Sequence, residues 1–122
     1  MTGKATKDGL YHETLAAKHL KRQGLKIIER NVRYREGELD LVTLDQQSLV
    51  FVEVKKRVSQ GYGHAIETIT PSKINKLRKA AQHYLLAHPE HQHRNCRFDV
   101  ITFSYTGASK KPDCQWLKNA FV

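Results

Sequence analysis

A chain of 122 residues has room for one hydrophobic core of ordinary size and not for two. Hydrophobic residues at 39% and charged residues at 27% exclude a disordered chain, and no apolar run approaches the roughly 20 residues of a membrane span. With 21 Lys and Arg against 12 Asp and Glu, the net charge of +9 favours a polyanionic partner over solubility alone.

The start of the chain, Met1–Ala5, lacks the apolar core of a signal peptide, and residues 1–7 read as a loose arm. A first helix is expected from Asp8 to Gln23, with Asp8 as its cap and Gly24 as its stop. Leu25–Tyr34 is strand-like, and Arg35-Glu36-Gly37 is a turn. Glu38–Leu44 and Leu49–Arg57 read as two strands around the polar turn Asp45–Ser48. A glycine-containing loop, Val58–Ile69, follows. Thr70-Pro71 then supplies an N-cap and a first-turn proline to a second helix that ends near Ala87. Arg97–Tyr105 is a further strand, and Trp116–Val122 a short last one. The order α-β-β-β-α-β-β predicts an α/β domain, 1–122, with a mixed sheet flanked by helices. Cys96 and Cys114 show no metal-ligand spacing and read as reduced thiols of a cytoplasmic protein, a disulfide being the alternative.

The central hairpin carries the chemistry. With Asp45–Ser48 as its turn, Leu44 pairs with Leu49, Val42 with Phe51, Asp40 with Glu53 and Glu38 with Lys55. Side chains alternate with period two, so these pairs share one face. That face is apolar near the turn and charged at its far end, with Arg57 beyond Lys55. Leu39, Leu41, Val50, Val52 and Val54 form the opposite face, expected to be core. Two carboxylates opposed at a partly covered spot need a cation or must take up a proton. On the first helix, Leu10, Ala16, Ala17 and Leu20 fall on one stripe, and Glu13 falls inside it. Glu13 is therefore either a residue at the edge of the packing face or a third acid of the same site. Carboxylates of this kind are hard oxygen ligands for Mg²⁺ or Mn²⁺, and such a metal suits phosphodiester hydrolysis. Lys55 is placed to orient an attacking water or to offset charge in the transition state.

Asp40, a gap, then Glu53-Val54-Lys55, preceded by helical Glu13, resembles the signature of the PD-(D/E)XK nucleases, which include restriction endonucleases and archaeal Holliday junction resolvases. The whole chain more closely resembles the uncharacterised bacterial YraN family. The matching stretches are Glu13–Leu20, Arg30-Asn31, Gly37–Val42, Val50–Lys55 with Arg57, Lys73, Arg97–Val100 and Asn119–Phe121. The resemblance implies a restriction-endonuclease-like fold, metal-binding acids at Asp40 and Glu53, a catalytic lysine at Lys55 and the helical glutamate at Glu13. It also implies DNA as the partner and raises a homodimer as an expectation. Leu39 stands where the signature has proline, and His12 where the family has glycine. The Gln-x-x-x-Tyr motif of exonuclease-like relatives is absent, Gln82 and Tyr84 being wrongly spaced.

Around this core, Lys73, Lys76, Arg78 and Lys79 either hold phosphates or form a solvated helix face, Lys73 being singled out by its first-turn position and family match. Tyr62 either stacks on an unpaired base or anchors its loop. His88, His91 and His93 read as an exposed loop rather than a metal site. Asp99 reads as the partner of Arg97 in a structural ion pair. A metal-dependent endonuclease acting on DNA, branched or single-stranded, is the leading expectation. The competing ones are a nucleic-acid-binding module with the same fold and, third, a protein-interaction subunit.

Overall fold

The computed structural model describes residues 6–57, 69–105 and 110–121. Helix α1 spans Lys7–Arg22. Its cap is Thr6 and not Asp8, because the Thr6 hydroxyl accepts the Gly9 amide at 2.9 Å while Asp8 sits in the first turn. Gly24, at φ 94°, reverses the chain after α1, a conformation that a Cβ would strain. Strands β1 (Lys26–Tyr34), β2 (Gly37–Asp45) and β3 (Ser48–Arg57) follow. Thr70 caps helix α2 (Pro71–Ala87) with Pro71 in its first turn. A 3₁₀ turn at Pro89–His91 leads to β4 (Cys96–Ser104) and β5 (Asp113–Leu117). The last strand thus lies earlier than Trp116–Val122.

The sheet has the order β1-β2-β3-β4-β5, with β3 and β4 parallel and the other neighbours antiparallel. This is the mixed sheet and the α-β-β-β-α-β-β order expected of a restriction-endonuclease-like domain. Helix α2 makes the crossover that a parallel pair requires. Each sheet face buries one helix. Ala16, Ala17 and Leu20 of α1 pack on Leu41, Val50, Val52, Ile101 and Phe103. Leu77, Ala80, Ala81 and Tyr84 of α2 pack on Leu39, Val42, Leu49 and Phe51. Leu10 is exposed, and His12 rather than Leu10 lies buried on α1. Among the described residues no helix is long and apolar enough to cross a membrane.

The β2–β3 register is the expected one from Asp45↔Ser48 through Leu44↔Leu49 and Val42↔Phe51 to Leu41↔Val52, where the ladder ends. Beyond that point the expected alternation fails: Leu39 packs with the α2 cluster, opposite to Leu41. The neighbouring strand is irregular at the same level, with Asn31 at φ 55° between the pairs Arg30↔Leu41 and Val32↔Leu39. On the far side of β2, the β1–β2 turn presses on α2. A Cβ on Gly37 would lie 2.7 Å from the Lys76 carbonyl oxygen, so only glycine fits there.

Of the three histidines after α2, only His93 is exposed. His88 lies in ring contact with Tyr84 at 3.9 Å, and its Nδ1 meets the Tyr84 carbonyl at 2.8 Å, while His91 is buried. The His88 ring thus serves one of the last carbonyls of the helix, which have no partner within it, and His91 Nδ1 accepts Arg94 Nε at 3.0 Å. Asp99 is fully buried in the structural role expected of it. It accepts Arg97 Nε at 3.0 Å, Trp116 Nε1 at 2.9 Å and the Asn119 amide at 2.9 Å. One carboxylate thereby ties β4, β5 and the chain after β5 together. Asp99→Ala leaves an indole N–H and a main-chain amide without their acceptor and the Arg97 guanidinium with Asp45 alone, and should lower unfolding free energy by about 3 kcal/mol. Urea denaturation measures this; a loss below about 1 kcal/mol, the range of an exposed ion pair, would show the cluster to be dispensable.

Candidate functional site

The end of the β2–β3 ladder opens the site. Past Leu41↔Val52 the backbones no longer pair, and the Asp40 side chain takes the Val54 amide instead, Oδ2 accepting it at 2.9 Å. Asp40 is thereby fixed next to Glu53. Helix α1 lies across the same end of the sheet and delivers Glu13, while the first turn of α2 delivers Lys73 from the opposite side. Glu13, Asp40, Glu53, Lys55 and Lys73 all line one open cavity of about 310 Å³. The four residues expected to form the site are therefore brought together, and Lys73 joins them.

Its electrostatics are those of crowded acids. Glu53 is 4% exposed and Glu13 is 6% exposed. Burial first, and the Asp40 charge second, hold the Glu53 carboxyl well above the usual range, and its hydrogen bond with Asp40 adds to this. The charges of Lys73 and Lys55 act in the opposite direction. Glu13 is pushed up to about 7 by burial and by Asp40, against the opposing effects of an Asn31 hydrogen bond and the Arg30 charge. Among the described residues, Glu13 Oε1 and Glu53 Oε1 are buried with no hydrogen-bond partner. Arg30 stands 4.0 Å from Glu13 Oε1, too far for a hydrogen bond.

Lys73 reads differently in three dimensions. Its Nζ is 3.3 Å from Glu53 Oε2, so it is first a counter-ion of the acid and not a free phosphate ligand. Burial works to lower its pKa, but the charge and hydrogen bond of Glu53 outweigh this and raise it. Lys55 is half-buried in the cavity wall and makes no ion pair within 4 Å among the described residues. Lys76 lines an adjoining groove of about 250 Å³ with Arg35, Glu38 and Lys73. Arg57 closes β3, and Tyr62 lies outside the described residues.

Two residues join the site that sequence reasoning did not place there. His12 is buried, with Nδ1 on the Asp8 carbonyl at 2.8 Å and Nε2 on the Tyr105 hydroxyl at 2.8 Å, tying α1 to the end of β4. The larger side chain at this position is thus accommodated by packing against Phe103. Asn31 reaches Glu13 from its left-handed backbone position, one that Asn tolerates better than most residues. The Arg30-Asn31 match was the signal for it, but no periodicity marks the conformation.

The donor set fits a hard divalent cation. Two buried carboxylate oxygens lack partners, and the oxygens of Asp40, Glu53 and Glu13 are the type that Mg²⁺ and Mn²⁺ prefer. Among the described residues no three His, Cys, Asp or Glu side chains already stand close enough together to enclose an ion. An ion held by these acids would therefore keep several waters, as Mg²⁺ does, rather than sit in a closed protein cage.

Comparison with known proteins places the chain. The model of "Uncharacterised protein family UPF0102" matches residues 12–103, which include every acid of the site. A UPF0102 protein of Alcanivorax borkumensis is 48% identical over 115 residues, covering 89% of this chain and 86% of that one. One from Stutzerimonas stutzeri is 46% identical, covering 89% of both chains. A Vibrio cholerae relative is 45% identical, covering 93% of this chain and 91% of its own. The chain belongs to the uncharacterised protein family UPF0102, the YraN family that its motifs resemble.

Proposed function

We propose that this protein is a cytoplasmic endonuclease, dependent on Mg²⁺ or Mn²⁺, that hydrolyses phosphodiester bonds of DNA, with branched and single-stranded forms as the first substrates to try. One observation carries the reading. Asp40 and Glu53, with an unpartnered buried oxygen on Glu53, face an open cavity beside Lys55 in a protein of net charge +9. A protein that only held nucleic acid would gain nothing from buried acids where phosphates must approach.

In this reading Asp40 and Glu53 would hold the metal, and Glu13 would complete its surroundings. When bound, the ion supplies charge to polarise the phosphate and to ionise a water. The remaining work belongs to the chain. The Val54 amide holds Asp40 in place through the 2.9 Å hydrogen bond, so the acid is oriented before substrate arrives. Lys55, two residues beyond Glu53 on β3, orients the attacking water by hydrogen bonding and offsets charge growing on the phosphoryl oxygens. The basic surplus draws the polyanion in, and Lys76 with Arg35 in the adjoining groove gives its backbone a resting place.

Three outcomes are expected. First, Mn²⁺ or Mg²⁺ should stabilise the protein, by about 2.7 kcal/mol at 100 times the dissociation constant, and raise its Tm. Asp40→Asn should blunt this response; calorimetry showing equal divalent binding by the wild type and Asp40→Asn would rule out the metal assignment.

Second, the metal-free protein should lose stability as pH rises. Glu13 moves from an ordinary 4.5 to about 7 on folding. Between these values the folded state binds more proton than the unfolded chain, so stability is full below the lower value and declines through the upper one. Glu13→Gln should remove this part of the slope and melt higher than wild type in alkaline, metal-free buffer. A thermal-melt series against pH decides it; coincident wild-type and Glu13→Gln profiles would refute the effect.

Third, linear, flapped and branched DNA should be cut only with a divalent metal. Lys55→Ala should slow cutting about 100-fold or more and leave affinity nearly intact, because Lys55 acts on the transition state. Affinity should fall steeply with salt through counterion release. A wild type that binds but cuts no substrate with any divalent ion would leave the binding-module reading standing, and one that does not bind would remove both.

A further inference from the structure

Glu53 has two oxygens in different circumstances. Oε1 is buried and unpartnered, and Oε2 faces the Lys73 ammonium at 3.3 Å. A carboxylate this deeply buried must be balanced, and among the described residues Lys73 is the cation within 4 Å of it. Thr70 sets its position: the cap accepts the Lys73 amide at 3.1 Å, which fixes the first turn of α2 over the cavity. The backbone is held, but the side chain is 32% exposed and is not enclosed.

Lys73 also lines two spaces. One is the acidic cavity with Asp40 and Glu53, and the other is the groove with Arg35 and Lys76, which Glu36 and Glu38 also line. Its four-carbon stem lets the ammonium reach either while the helix stays fixed. Lys55 makes no ion pair among the described residues, so the site already has a lysine free to face a reacting phosphate. Lys73 is a second cation, and it stands on the carboxylate that would hold a metal. A divalent ion on the same carboxylate carries twice the charge and repels the ammonium at short range.

We infer that Lys73 is a tethered counter-ion that holds the cation position on Glu53 until a divalent ion displaces it, and that the displaced ammonium turns into the Arg35–Lys76 groove to contact the nucleic-acid backbone. This deepens the nuclease reading and rests on it for the identity of the polyanion. Metal and nucleic acid are then coupled through one side chain. The metal releases a phosphate contact, and by linkage bound nucleic acid tightens the metal site by the same factor.

The test uses the full chain, the variants Lys73→Met, Lys73→Gln and Lys76→Met, Mn²⁺ and Ca²⁺ as ions, and labelled duplex and branched DNA. Circular dichroism checks folding, and either neutral Lys73 variant serves if the other is unstable. In titration calorimetry in alkaline buffer, where protons compete little for the acids, the neutral Lys73 variants should bind Mn²⁺ at least about fivefold more tightly than wild type. In DNA-binding assays, Ca²⁺ should tighten wild-type binding. The Lys73 variants should lose the Ca²⁺ enhancement. Lys76→Met should weaken binding by the same factor with and without Ca²⁺. Unchanged or weaker Mn²⁺ binding in the Lys73 variants would overturn the counter-ion. An undiminished Ca²⁺ enhancement would overturn the movement into the groove. A wild type that binds no DNA would take down the nuclease reading and the groove contact together, whereas tighter Mn²⁺ binding by Lys73→Met would still identify the counter-ion.

Discussion

The Asp40 carboxylate takes the place of a backbone carbonyl. Where β2 and β3 stop pairing, the Val54 amide would be a buried donor without an acceptor, and Asp40 Oδ2 accepts it at 2.9 Å. Much follows from this substitution of side chain for main chain. The strands can separate without leaving the amide unpaired, so room opens in the sheet. The acid that satisfies the amide is held rigidly, and Glu53 is brought beside it on the neighbouring strand. The same break permits Leu39 to turn toward α2 while Leu41 stays with α1. The irregular backbone at Asn31 sits at the corresponding level of β1, and its side chain reaches Glu13. Local irregularity of this sort lowers stability unless the site uses it.

What the fold gains elsewhere, it spends here. Two aliphatic clusters, one per sheet face, and the fully buried Asp99 network hold the frame. Against that frame the protein keeps Glu13 and Glu53 buried near Asp40 with unpartnered oxygens. Lys73 relieves the crowding only in part, since burial and Asp40 still keep the Glu53 carboxyl well above its usual range. In a chain whose composition is strongly basic, lysines could have enclosed these acids completely. That they do not leaves Glu13 Oε1 and Glu53 Oε1 without hydrogen-bond partners among the described residues.

The sequence made the hairpin register readable, because a short polar turn and period-two alternation leave little freedom. It made α2 readable to its first residue, since Thr70-Pro71 combines a cap with a residue whose fixed φ suits the first turn. The neighbourhood of Asp40, Glu53 and Glu13 followed from that register and from one charged residue in an apolar helical stripe. Other features depend on contacts far apart in sequence, which local patterns do not encode. Leu39 changes face because of a broken ladder, and Asn31 adopts a left-handed conformation that no periodicity announces. His12 is buried because Tyr105 waits 93 positions away. The histidines after α2 looked polar and exposed, and His93 is, yet the His88 ring serves a helix carbonyl and the rings of His88 and His91 stack on Tyr84, which makes these two part of the packing.

Lys73 shows why a residue type and a position do not settle a role. A lysine in the first turn of a helix is badly placed for the helix dipole, because that end already carries partial positive charge. Its presence there calls for a compensating anion, either a ligand's or the protein's own. The structure supplies the second in Glu53 Oε2, and the groove beside it supplies a place for the first. The cost of a cation at this helix end is thus met by a buried acid that itself needs a cation, and neither residue is fully balanced without the other. Such mutual dependence makes the pair sensitive to any third charge that enters the cavity. A divalent ion relieves Glu53 and strands Lys73; a phosphate satisfies Lys73 and exposes Glu53. On the proposed reading, both arriving together would leave each of the two residues with a partner, the charge arrangement that a metal-assisted phosphodiester reaction requires.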